Sequence, residues 1–117
     1  VAIGRQVLQT QNFTTATTTY NTAVGHQAGL AVTTGVHNTI VGANAGDALT
    51  DADYNTALGS FALSADTLGS RSTALGWQAL GNQNFTTATD AYNTAVGVNA
   101  GLSVTTGTEN VLIRRRI

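Results

Sequence analysis

Few side chains in this sequence could do chemistry, and their spacing limits what that chemistry could be. His26 and His37 lie in one short stretch. Repeated about a threefold axis, such histidines could hold a metal. The matching places later in the chain are Val98 and Glu109, so both histidines read as surface substituents. Asp47, Asp51 and Asp53 fall within the seven residues DALTDAD. Calcium wants several oxygens at fixed offsets, and this stretch lacks the EF-hand spacing and its late glutamate, so a solvated turn is expected. Phe61 and Trp77 sit beside short aliphatic runs. Facing outwards they could stack on sugar rings; otherwise they fill space between protomers. NFTTATTTYN (12–21) and NFTTATDAYN (84–93) are the most distinctive segments. Loops on a rigid scaffold often carry recognition. Phe13, Tyr20, Phe61, Trp77, Phe85 and Tyr92 are therefore the candidate recognition surface, for a cell-surface glycan or protein receptor. The other reading of the loop aromatics is that they tuck back over the scaffold edge. No Ser, His and Asp constellation or marked carboxylate pair is present, and the glycines follow a repeat instead of forming a phosphate loop. We assign no catalytic, cofactor or metal residue and read the chain as a non-enzyme without cofactors.

Composition narrows the partners. Only 9% of residues are charged, against about 25% in typical proteins. There is no Cys, which removes disulfides and thiolate metal sites. Three of the five basic residues are Arg114, Arg115 and Arg116, leaving Arg5 and Arg71 against six acids, a balance of −4. Phosphate contacts need clustered Lys and Arg, so nucleic acid is not an expected partner. No apolar run approaches the roughly 20 residues that cross a bilayer, so this segment is not expected to insert into a membrane.

The residues must be positioned by a repeat. YNTAVG occurs at 20–25 and again at 92–97, with TIVG, TALG and TALG between. Units begin at Val1, Thr22, Thr39, Thr56, Thr73, Thr94 and Val111, at spacings of 21, 17, 17, 17, 21 and 17 residues. Position 2 reads Ala2, Ala23, Ile40, Ala57, Ala74, Ala95; position 3 reads Ile3, Val24, Val41, Leu58, Leu75, Val96, Ile113. Position 4 is Gly and position 7 is Val7 or Ala; each unit closes on Asn21, Asn38, Asn55, Ser72, Asn93 or Asn110. A second period of 72 residues lies over the first: QNFTTAT at 11–17 returns at 83–89.

Helical repeats need roughly 33–47 residues per unit, and Gly, Asn, Thr and Val in bulk disfavour helix. The fold class expected is all-β: a parallel β-solenoid of about 17-residue coils, each with two short strands and two turns, stacked about 4.8 Å apart. Residues 1–113 would form the shaft, and 114–117 a cap or a junction to another domain. Position 3 is expected to point inwards as an apolar seam, and the closing Asn to adopt the left-handed turn conformation while its amide bonds its counterparts. Positions 2 and 3 face opposite sides of a strand. Both are apolar, which implies burial on both sides. The partner expected on the outer, position-2 side is a homotrimer, and Ala23→Arg or Ala95→Arg is expected to dissolve it.

The pattern N-T-A-[VLI]-G-x-x-A-L, with a later T-T-G turn, resembles the repeat modules of phage tail fibres. It also resembles the head domains of trimeric autotransporter adhesins, whose shorter repeat carries a similar A-[IV]-G core. NTAVGHQAGLAVTTGVHN (21–38) and NTAVGVNAGLSVTTGTEN (93–110) carry the likeness, which covers 1–113. It implies a rigid, trimeric, extracellular or virion-attached rod for host attachment that holds a receptor-binding tip away from a surface. The departure is LIRRRI at 112–117, where three Arg replace the expected phrase. Two alternatives are an ice-binding solenoid, carried by the Thr at position 1, and a self-assembling surface filament.

Overall fold

A computed structural model describes residues 1–114. The described chain is a parallel β-solenoid of about seven turns without a helix. Nine short strands occur: β1 (Ala2–Ile3), β2 (Thr22–Val24), β3 (Thr39–Val41), β4 (Thr56–Leu58), β5 (Gly69–Ser70), β6 (Thr73–Leu75), β7 (Thr89–Asp90), β8 (Thr94–Val96) and β9 (Val111–Ile113). Seven of them form one parallel sheet in the order β1-β2-β3-β4-β6-β8-β9. Thr22, Thr39, Thr56, Thr73 and Thr94 stand opposite one another in succession, as the unit starts require. A second strand per coil is realised only once, where β5 pairs with β7. Elsewhere the far side is turn backbone that still bonds coil to coil, as in Gly29 N–H to Ala45 O at 3.0 Å and Thr50 N–H to Thr67 O at 2.9 Å.

Which side of the strand goes inwards is the reverse of the expectation. Position 2 is the core: Ala23, Ile40, Ala57, Ala74 and Ala95 are all fully buried. Position 3 faces out. The reason is volume. A 17-residue coil is narrow, and position 7 already fills it with Ala28, Ala45, Ala62, Ala79 and Ala100. Position 2 carries a larger side chain only beside a Gly at position 8 of its own or the preceding coil. The Ile40 Cδ1 lies where a Cβ on Gly29 or Gly46 would fall, at 3.2 and 3.4 Å, and Leu112 Cδ1 does the same at Gly101 at 2.9 Å. Where position 8 is Leu, as at Leu63 and Leu80, position 2 is Ala. Interiors tolerate neither voids nor overlap, so the two positions trade methyl groups.

The glycine at position 4 is dictated by both backbone and space. Gly25, Gly42, Gly59 and Gly76 have φ near 131–137°. A Cβ on Gly59 would lie 2.4 Å from the Gly76 carbonyl oxygen of the next coil.

The closing Asn residues stack inside the coil. The Asn21 Oδ1 accepts the Asn38 N–H at 2.9 Å, Asn38 Oδ1 accepts Asn55 N–H at 2.9 Å, and Asn55 Oδ1 accepts Ser72 N–H at 2.9 Å. Each Nδ2 donates to a carbonyl of the next coil, from Asn38 to Ala52 O and from Asn55 to Gly69 O. The left-handed residue is not this Asn but the one before it: Tyr20, His37, Tyr54, Arg71, Tyr92 and Glu109 have φ of 51–63°. The Asn is held in place by its two-sided amide, which must face inwards to find backbone partners.

Ser72 is too short to continue the ladder. Gln83 fills the gap: its Nε2 donates to Ser72 Oγ at 3.0 Å and its Oε1 accepts from Asn93 Nδ2 at 2.7 Å. The same Nε2 donates to the fully buried Asp66 Oδ2 at 2.6 Å. The Asp66 Oδ1 accepts the Gly69 and Phe85 N–H groups at 3.1 and 3.0 Å. A buried carboxylate without a cation is stable only with such a set of donors.

Strand β9 continues the sheet at the last coil, and the pairing reaches Arg114, whose N–H donates to Val96 O at 2.9 Å. The solenoid therefore extends through the start of the LIRRRI segment. Of the cap or junction expected at 114–117, Arg114 pairs with the preceding coil and 115–117 lie outside the described residues.

Candidate interaction surfaces

Two surfaces are built by the repeat. The first is the outer face of the seven-stranded sheet. Odd positions of each strand project there, so it carries the threonines of position 1 and the aliphatics of position 3. Ile3 is 59% exposed, Leu58 42%, Val96 38% and Ile113 74%; Val24, Val41 and Leu75 between them are half-buried. The two ladders contain no charged side chain. At the adjoining turn stand Trp77, 46% exposed, with Val98 and Phe61 also open to solvent. Monomeric proteins seldom expose a contiguous apolar strip of this kind.

The second surface follows from the left-handed turn before each Asn. This turn points the side chain outwards, one above the next. The Tyr20 and His37 rings stack at 4.9 Å between centroids, and His37 and Tyr54 at 4.8 Å. The Arg71 guanidinium lies 4.8 Å from the Tyr54 centroid and 5.8 Å from that of Tyr92. It also pairs with Asp90 at 3.1 Å. The hydrogen bond and charge of Asp90 hold Arg71 still more firmly protonated than usual. The His37 ring lies between Tyr20 and Tyr54, and the Tyr54 ring between His37 and Arg71, whereas Tyr20, 67% exposed, keeps one face open.

The chain matches no protein family, no curated protein and no solved structure.

The six candidate aromatics do not form one site. Tyr20 and Tyr92 belong to the outward stack. Phe61 and Trp77 flank the sheet face in successive coils. Phe85 is 6% exposed, and a Cβ on Gly69 would lie 2.8 Å from its ring. It is a core residue over Asp66, and Phe13, at the matching place in the first coil, is half-buried. The insertions thus tuck their phenylalanines in and leave their tyrosines out. Sequence reasoning missed Tyr54, His37 and Arg71 as members of one ladder. The signal was present: each is the residue before the closing Asn or Ser.

The polar candidates disperse. The Arg5 guanidinium donates to His26 Nε2 at 3.3 Å, in a different column from His37. Asp47 accepts from Asn44, Asp51 from the Thr34 hydroxyl at 2.6 Å, and Asp53 from the Val36 N–H at 2.8 Å. Among the described residues no group of three His, Asp or Glu is placed to hold a metal ion. No helix there is long and apolar enough to cross a membrane.

Proposed function

We propose that this chain is a shaft segment of a trimeric fibre, extracellular or carried on a virion, that presents a receptor-binding region at a distance. The observation that carries the reading is the uncharged aliphatic ladder from Ile3 to Ile113 on the outside of the rod. A solenoid is rigid along its axis because every coil bonds the next. Three such rods can cover one another's sheet faces. Ala23 and Ala95 are buried within the coil, so the proposed contact between rods is assigned to position 3 and not to the position-2 alanines. The test is mass in solution by light scattering. A species near three times 12.0 kDa is expected at tens of micromolar. A persistent monomer sinks the reading.

A second reading has one specific observation in its favour. The same face sets Thr22, Thr39, Thr56, Thr73 and Thr94 in register beside the aliphatics, on a parallel sheet. A regular, uncharged surface of hydroxyls and methyls could order water as ice does. It requires the face to be open, so it goes with a monomer. Thermal hysteresis in a monomeric sample would favour it over the fibre shaft.

A further inference from the structure

The first and fifth coils are the same coil in different surroundings. Gln11, Asn12, Phe13 and Asn21 match Gln83, Asn84, Phe85 and Asn93 at a separation of 72 residues. Their backbones bond alike. Gln11 N–H donates to Leu8 O at 3.2 Å and Gln83 N–H to Leu80 O at 3.1 Å; Asn12 N–H donates to Thr33 O at 3.1 Å and Asn84 N–H to Thr105 O at 2.9 Å. Asn21 and Asn93 each donate Nδ2 to a glycine carbonyl, of Gly35 and Gly107, at 2.7 Å. Even the entry point agrees: the Val1 nitrogen donates to Asn21 O at 2.8 Å, as the Thr73 N–H does to Asn93 O at 2.8 Å.

What differs is the neighbour. The fifth coil has Thr56–Ser72 on its N-terminal side, with Asp66 bonded to Gln83 Nε2 and Phe85 N–H. The first coil carries the same two donors, the Gln11 amide and the Phe13 N–H, and among the described residues nothing accepts from either. Gln83 is fully buried, whereas Gln11 is half-buried at the rim.

We propose that the N-terminal rim, made of Gln11, Phe13 and the open edge of β1, is a docking surface for one further parallel coil that carries an aspartate at its eleventh position, as Thr56–Ser72 does. The carboxylate is the selective element. A coil with Val or Leu there, like those holding Val32 and Leu49, would bury the Gln11 and Phe13 donors unpaired, and unpaired buried donors are costly. Coil order along such an array is therefore set by this polar pair, because the repeated positions 3, 4 and 7 carry the same residue types from unit to unit.

The test adds a second copy of residues 56–72 directly before Val1 of the full chain and follows amide exchange. The Phe13 and Gly4 amides are expected to exchange at least about tenfold more slowly than in the parent, because the position-4 N–H of each later coil donates to the coil before it and a covered edge opens only with its neighbour. The same fusion with Asp66→Leu in the added copy should leave the Phe13 amide as fast as in the parent. Gln11→Leu in the Asp fusion should also cancel most of the gain, while Gln11→Leu alone leaves the parent's melting temperature unchanged. Protection at Ile40 in every variant establishes that the shaft itself is folded. Equal protection of Phe13 in the Asp and Leu fusions overturns the proposal, as does no protection in either.

Discussion

At the scale of single residues, the buried asparagines tie each coil to its neighbours. Asn38 satisfies three groups: its own N–H goes to Asn21, its Oδ1 takes the Asn55 N–H, and its Nδ2 caps the Ala52 carbonyl. Asn38→Ala leaves the Asn55 N–H and the Ala52 carbonyl buried without partners. Each such group costs about 1–3 kcal/mol, so a loss of about 2–5 kcal/mol is expected in urea unfolding. Asn38→Asp tests the reason. It keeps the acceptor but turns the donor into a second acceptor against the Ala52 carbonyl, and it should be no better than Ala. Gly59 is the backbone counterpart. Its φ is 134°, and a Cβ would lie 2.4 Å from the Gly76 carbonyl oxygen. Gly59→Ala should therefore cost more than the roughly 1 kcal/mol typical of a point substitution. If either variant melts with the parent, stacking of identical coils is not what fixes these positions.

At the scale of the element, the coil, the register was fully legible and the facing was not. The unit starts read from the sequence are the pairing partners of the sheet, because a parallel stack must repeat its length wherever it repeats its bonds. The facing failed because positions 2 and 3 are both apolar and hydrophobicity cannot rank them. The deciding signal was volume: Ile40 and Leu112 appear at position 2 beside Gly at position 8, while position 3 varies among Val, Leu and Ile without compensation. The outward stack was missed for another reason, although its position before the closing residue was readable. Tyr, His, Arg and Glu at one position share no hydropathy, only a left-handed turn that sends each side chain outwards. Aromatic pairs add about 0.5–1.5 kcal/mol beyond area burial. His37→Ala interrupts two stacks, and at this exposed site about 1 kcal/mol of destabilisation is expected, seen as a lower urea midpoint with unchanged slope. His37→Tyr, which restores a ring between Tyr20 and Tyr54, should recover it. Equal loss in both variants would mean that the ring is not what His37 contributes.

At the scale of the whole molecule, the two sides of one strand separate folding from assembly. Leu58 and Ala57 are adjacent in β4, one exposed and one fully buried. Leu58→Arg places a charge on the outer ladder between Val41 and Leu75. In an isolated rod this is a surface substitution, worth within about 0.5 kcal/mol. In a trimer it buries an unpaired guanidinium against two neighbours, and truncating or mismatching such contacts costs several kcal/mol. The expected outcome is a shift from trimer to a folded monomer, with the β-rich circular dichroism spectrum of the parent retained. Ala57→Arg should behave oppositely. The coil interior has no room for the side chain, so the spectrum itself collapses and no assembly state is left to measure. Trp77→Ala stands between them. It removes the largest outward apolar group, 46% exposed in the single rod, and should weaken assembly at least about tenfold if its indole is covered by a neighbour. Light scattering across a dilution series reads all three variants together. A Leu58→Arg protein that keeps the parent's mass at every concentration would leave the aliphatic ladder without the role given to it, since no interface through position 3 accommodates that charge once per protomer.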